Sequence, residues 1–271
     1  VDVIVVLGQS NAAGCGVGWT LSDAFPRLGV WELRPLRGRR RLVPAVDRPG
    51  RYGRTKSGCI SFDRTFAILY RGATGRQVTV VNASVGQAGF VPDAGQTWDP
   101  ADTTAPRNLY REAVTTIREA LARLDGNFIA VLWHQGEHDV GKLSEAEYAA
   151  RLDAVIVGLR GEFGSTPFLV GQMVPEWIAS KGEAGAAIDA AHRHTPDRQP
   201  ATAFVETPLK SHNLDGIHIN APGQRELGRR YFAAWQSLTD DAGVSGLELG
   251  VQRRQRGIVK SRRVRDDIAN R

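Results

Sequence analysis

Cysteine is scarce in this chain of 271 residues: only Cys15 and Cys59 are present. Two cysteines cannot form the disulfide framework of a small secreted scaffold. They make one bridge or remain two buried thiols, and thiols are the expectation. No Cys-x-x-Cys pair or Cys/His cluster occurs, so no structural zinc is expected. No apolar run reaches the roughly 18–20 residues that a membrane span needs. The compartment is not legible, although a secreted or surface location fits. An excess of one charge is missing from most of the chain as well. The formal charge is +6, but residues 251–271 hold eight basic and two acidic side chains. The first 250 residues balance at 27 basic and 27 acidic. The high pI therefore belongs to the end of the chain, and nucleic acid is not an expected partner. A division follows: a domain over 1–240, with an insertion at about 16–57, and a basic tail over 241–271. The simplest reading of the tail is a solvated extension. The alternative is a docking element for an anionic or protein partner.

What is present is a core-forming pattern. Hydrophobic residues make up 42% and charged residues 24%, the balance of a globular protein. Val3–Leu7 is apolar without alternation, the mark of a strand buried on both faces. Similar runs lie at Val78–Asn82, Phe128–Trp133, Phe168–Gly171 and Ala203–Glu206. Helical periodicity separates them at Phe62–Arg71, Leu109–Leu124, Ser144–Phe163 and Pro222–Leu238. The third begins with a capping-box pattern, and the fourth with proline in a first-turn position. Strands alternating with helices indicate a three-layer α/β/α sandwich. Its sheet is expected to be mostly parallel, five-stranded and flavodoxin-like. The stretch 16–57 is rich in Gly, Pro and Arg, with short candidate strands at Val30–Leu33 and Arg41–Val43. It reads as an insertion lying over the start of the fold and forming a wall of the site.

Polar constellations follow the strands, where open parallel sheets place their sites. Gly8-Gln9-Ser10-Asn11 follows the first. Asn82-Ala83-Ser84-Val85-Gly86-Gln87-Ala88-Gly89 follows the second long strand, and Trp133-His134-Gln135-Gly136-Glu137-His138-Asp139 the third. Asp215-Gly216-Ile217-His218 precedes the last helix. In that spacing the carboxylate can hold one ring nitrogen while the other takes a proton from a serine. The first, second and fourth blocks alone read more simply as polar turns or caps, whereas the density of polar groups straight after an apolar strand makes the third as readily a site as a polar loop.

In this order the four blocks resemble the SGNH (GDSL-like) hydrolase superfamily. Within it the sequence is similar to the sialate O-acetylesterase and acetylxylan esterase branch, carbohydrate esterase family six. The resemblance runs from about Val3 to Leu238. It implies a serine esterase removing O-acetyl groups from a carbohydrate, without metal or cofactor. Ser10 would be the nucleophile and Asp215 and His218 its partners. The oxyanion hole would be the Ser10 N–H, a glycine N–H and a side-chain amide, here Gly86 and Gln135. Gly89 remains an alternative to Gly86, and Glu137 an alternative to Asp215 as the carboxylate that orients His218. A catalytically silent glycan-binding module of the same fold is the competing reading. Trp19, Trp31, Trp98 and Trp177 lie outside the long strands; Trp98 is a candidate for the pocket wall, although tryptophan more often packs. Arg51, Arg54 and Lys56 are candidates, by position, for meeting a sugar carboxylate.

Overall fold

The uninterrupted apolar run near the start becomes the middle of a sheet. The computed structural model describes residues 1–36, 39–49 and 58–241. Strand β1 (Asp2–Gly8) is buried along its whole length. It is followed by β2 (Val30–Leu36), β3 (Arg39–Pro44), β4 (Val78–Asn82), β5 (Asn127–His134), β6 (Phe168–Gly171) and β7 (Thr202–Val205). These form one seven-stranded sheet in the order β7-β6-β5-β1-β4-β2-β3. All neighbours are parallel except the β2–β3 hairpin. Val5 lies opposite Val131 on one side and Val81 on the other. The segment β7-β6-β5-β1-β4 is the expected five-stranded, flavodoxin-like arrangement.

The strand count is corrected from five to seven. Val30–Leu36 does not lie over the fold but extends its sheet, with Trp31 opposite Thr79. Its pattern hid this because Glu32 and Arg34 interrupt the apolar residues. Both side chains are buried and pair with each other, so the interruption is neutralised inside the fold. Two other parts of the 16–57 stretch, Gly16–Val17 and Arg48–Pro49, pair with Gly58–Ile60 in a small antiparallel sheet.

Five longer helices flank the large sheet: α1 (Phe62–Thr74), α2 (Leu109–Leu124), α3 (Glu145–Phe163), α4 (Gly182–Arg193) and α5 (Ala221–Asp241). The capping box at α3 is present, with Ser144 Oγ accepting from the Glu147 N–H at 3.3 Å and Glu147 Oε2 accepting from the Ser144 N–H at 2.8 Å. Side chains alternate across a strand. Val3, Val5, Leu7, Val131 and Trp133 therefore share one face, packed with Ile117, Leu152, Ile156 and Ile188 of α2, α3 and α4. The opposite face is covered by α1 and α5, where the Phe62 and Tyr231 rings stack at 4.7 Å and Phe62 lies 5.8 Å from His134. Full burial of each such side chain contributes about 1.5–3 kcal/mol.

Val1–Trp235 forms one compact unit and Gln236–Arg271 a second, described only over the end of α5. The basic tail, Arg51, Arg54, Lys56 and the Cys59 side chain lie outside the described residues. Among the described residues no helix is long and apolar enough to cross a membrane.

Candidate active site

The polar blocks meet at the carboxyl end of the sheet. At the end of β1, Gly8 has a φ of +132°, and a Cβ there would lie 2.0 Å from the His134 carbonyl oxygen. Only glycine fits this approach. The chain then turns, with the Gln9 N–H donating to His134 O at 3.0 Å. Ser10 begins the single-turn helix Ser10–Ala13. Its hydroxyl is half-buried at the tip of the central strand.

His218 arrives from the loop between β7 and α5. Asp215 shapes that loop by accepting the Ile217 and His218 N–H groups on Oδ1 at 3.0 and 2.9 Å. Its Oδ2 accepts from His218 Nδ1 at 2.8 Å, while His218 Nε2 lies 2.9 Å from Ser10 Oγ. This assigns the tautomer: Nδ1 carries the proton and Nε2 accepts from the hydroxyl. Partial burial opposes ionisation of Asp215, but the His218 backbone and ring donors and the Ile217 N–H outweigh it and hold the carboxyl below its usual range. The carboxylate facing the imidazole is Asp215.

Glu137 is turned elsewhere. Its Oε1 accepts from Asn11 Nδ2 at 2.7 Å, and its Oε2 is buried with no hydrogen-bond partner among the described residues. Burial pushes its carboxyl up, against the Asn11 hydrogen bond. Glu137 therefore does not orient the His218 ring by contact.

Gln135 also takes a different place from the one its resemblance implies. It is fully buried, and its Nε2 donates to Gln9 Oε1 at 3.1 Å and Asp139 Oδ2 at 2.9 Å. Both amide protons are used, and Oε1 accepts from Tyr148 at 2.8 Å. A second amide is carried by Gln9, the residue next to Ser10 in the chain, which the sequence reading passed over. Gln9 Oε1 accepts from Gln135 Nε2, from the His138 N–H at 3.1 Å and from the Gly136 N–H at 3.5 Å. A backbone N–H only donates, so this atom is the oxygen. Gln9 Nε2 has no hydrogen-bond partner among the described residues. The signal was its position next to Ser10.

The two candidate glycines differ. Gly86 sits in an exposed turn whose carbonyl accepts from Gln96 Nε2 at 2.9 Å, and a Cβ there would meet nothing within 4 Å. At Gly89 a Cβ would lie 2.5 Å from Asp139 Oδ1. Asp139 also accepts the Phe90 and Val91 N–H groups at 2.9–3.1 Å. Gly89 is thus the close-packed glycine and Gly86 the accessible one. Outside this contact Asp93 joins the glycine loop to the next one, pairing with His138 and, at 2.7 Å, with Lys142.

Of the tryptophans, Trp98 is fully buried and packs edge-on against Trp133 at 5.4 Å. It is core, not pocket wall, because the apolar face under α2 and α3 claims it. Trp31 bonds Gln77 at 3.3 Å beside the start of β4, at the far end of the strands. Trp19 donates to Asp47 O at 2.8 Å. Trp177 follows the end of β6, with the Lys181 ammonium 5.3 Å from its ring centre. His134 and His192 are fully buried, and burial pushes both down to about 3; neither is a base near neutral pH.

Fold and strand-end polar cluster together fit an α/β ester hydrolase. The chain belongs to the SASA family of carbohydrate esterases, described as sialic acid-specific acetylesterases, whose model matches residues 1–237. No curated protein matches the chain. Among solved structures it is similar to NanS, at a TM-score of 0.71 and 16% identity, covering 89% of this chain and 98% of that one. A protein from Arabidopsis thaliana gives a TM-score of 0.65 at 22% identity over 87% and 98% of the two chains. A carbohydrate acetylesterase from Xanthomonas citri gives 0.61 at 19% identity, covering 88% of this chain and 56% of that chain. At these identities the likeness is one of fold.

Proposed function

We propose that the protein removes O-acetyl groups from a carbohydrate through an acyl-enzyme on Ser10. One observation carries this reading: the unbroken hydrogen-bond chain from Ser10 Oγ through His218 to Asp215, at 2.9 and 2.8 Å. The family description, an acetylesterase of carbohydrates, supports the acetyl group as the acyl part.

In the first half-reaction His218 Nε2 takes the Ser10 proton as Oγ bonds the carbonyl carbon. The carbonyl electron pair moves to its oxygen. The pair returns as the sugar oxygen leaves with the proton from His218. In the second, His218 takes a proton from water, the hydroxide attacks the acetyl-serine, acetate leaves and the proton returns to Ser10. Asp215 stays ionised and steadies the imidazolium formed in each half. The oxyanion is received by the Ser10 N–H, the Gly86 N–H and Gln9 Nε2. Preorganised donors of this kind contribute about 3–4 kcal/mol each to the transition state.

The test is acetate release from a panel of acetylated glycans, and hydrolysis of 4-nitrophenyl acetate, by wild type and Ser10→Ala. A loss of at least 10³-fold in Ser10→Ala is expected. Equal rates would refute the nucleophile, and saturable glycan binding without any ester turnover would replace the enzyme by a binding module.

A further inference from the structure

The residue after the nucleophile does something that the acyl-transfer chemistry does not itself require. Asn11 is fully buried, and its carboxamide faces the peptide that carries His218. Asn11 Nδ2 donates to Ile217 O at 3.1 Å, and Asn11 Oδ1 accepts from the Ile219 N–H at 2.9 Å. These bonds bracket His218 from both sides, as a neighbouring strand would. The second proton on Nδ2 goes to Glu137 Oε1 at 2.7 Å. The Asn11 carbonyl accepts from Gln224 Nε2 at 3.2 Å, and Gln224 Oε1 accepts the Phe62 N–H at 3.0 Å. The carboxamide therefore has one orientation: its oxygen meets a backbone donor, and its nitrogen meets a carbonyl and a carboxyl oxygen.

We infer that Asn11 is the positioning residue for His218, fixing the imidazole-bearing peptide to the one-turn helix that carries Ser10, and that Glu137 holds the Asn11 carboxamide in register. Asp215 fixes the ring from its own loop, so it moves with His218. It cannot set the distance from that loop to Ser10. Asn11 is covalently next to Ser10 and bonded to both neighbours of His218, so it ties the two halves of the catalytic pair together. An error of about 1 Å between reacting groups can cost on the order of 10²-fold in rate.

This inference rests on the Ser10–His218 reading, and its test separates the two. Wild type, Asn11→Ala, Glu137→Gln and Glu137→Met are compared for kcat and KM on 4-nitrophenyl acetate. The downfield proton resonance of the His218–Asp215 hydrogen bond is recorded alongside, with His218→Gln as its assignment control. Asn11→Ala is expected to lower kcat at least 30-fold with KM within threefold, and to broaden or shift the downfield resonance. Glu137→Gln keeps an acceptor for Asn11 and Glu137→Met does not, so the first should exceed the second in kcat at least fivefold. A folded Asn11→Ala with kcat within threefold of wild type would overturn the inference. If Asn11→Ala does not fold, equal kcat in the two Glu137 variants overturns it. A wild type that cleaves no acetyl ester sinks the proposed reaction instead, and the resonance then decides the positioning role alone.

Discussion

Replacing Gln9 by glutamate separates the two atoms of one carboxamide. Gln9 Oε1 accepts three N–H donors, from Gln135, Gly136 and His138, and a carboxylate oxygen serves them as well or better. Packing is unchanged because the two side chains have the same shape. The second atom changes from an amide donor to a carboxylate oxygen, which accepts. If that atom faces the developing oxyanion, the variant loses one donor, about 2.7–4 kcal/mol or 10²–10³ in kcat. The repulsion of a carboxylate adds to that loss. KM should change little, since the interaction is made in the transition state. Gln9→Leu is the less informative change, because it leaves three buried N–H groups without an acceptor, at about 1–3 kcal/mol each. The assay is steady-state kinetics on 4-nitrophenyl acetate together with a thermal melt. A melting temperature near wild type with kcat down at least 10²-fold is expected. A kcat within threefold of wild type would refute the assignment of Gln9 Nε2.

Other expectations follow from the same contacts. Gly89→Ala places a Cβ 2.5 Å from Asp139 Oδ1, so it should destabilise by about 1–3 kcal/mol, whereas Gly86→Ala should change stability by less than about 0.5 kcal/mol; denaturant melts of the two decide. Burial raises the Glu137 carboxyl, so its share of stability is full below the ordinary glutamate range and is lost as pH rises through the folded value. Glu137→Gln should therefore flatten the rise-side loss in a melting-temperature-against-pH curve from about pH 4.3 upward, and an unchanged curve would contradict the burial argument. Trp98→Ala should cost about 3–5 kcal/mol as a core truncation, and a change in KM larger than the change in stability would return Trp98 to the pocket wall.

Fold legibility came from runs with a single period. Val3–Leu7 and the four similar runs each became a parallel strand, and Leu109–Leu124 matched its helix end to end. β2 was not recognised as part of this sheet because a buried Glu32–Arg34 pair looks like a polar interruption in one dimension. The site divided differently. Asp215 and His218 are three residues apart, so their pairing can be read from spacing. Gln9, Gln135, Asn11 and Glu137 find partners across 126 positions, and no local pattern says which amide turns which atom outward. That choice is made by backbone donors such as the His138 N–H, which exist only once β1 and β5 lie side by side.

The carboxyl groups around Ser10 divide their work by environment. Asp215 is on an exposed loop, with the His218 and Ile217 donors outweighing its partial burial. In the proposed mechanism it carries a negative charge beside an imidazolium that appears and disappears in each half-reaction. Asp139 and Glu137 are buried, and burial pushes both upward despite their N–H donors. Their oxygens serve as fixed acceptors. Asp139 gathers the glycine loop and Gln135, and Glu137 gathers Asn11. Buried behind the serine, these acceptors order the site through the N–H groups they hold. The same type of side chain thus assists the charge transfer where water reaches it and builds the frame where water does not. On this argument the position of Asp215 tolerates little change in charge, while those of Glu137 and Asp139 depend on the acceptors they present to Asn11, Gln135 and the glycine loop.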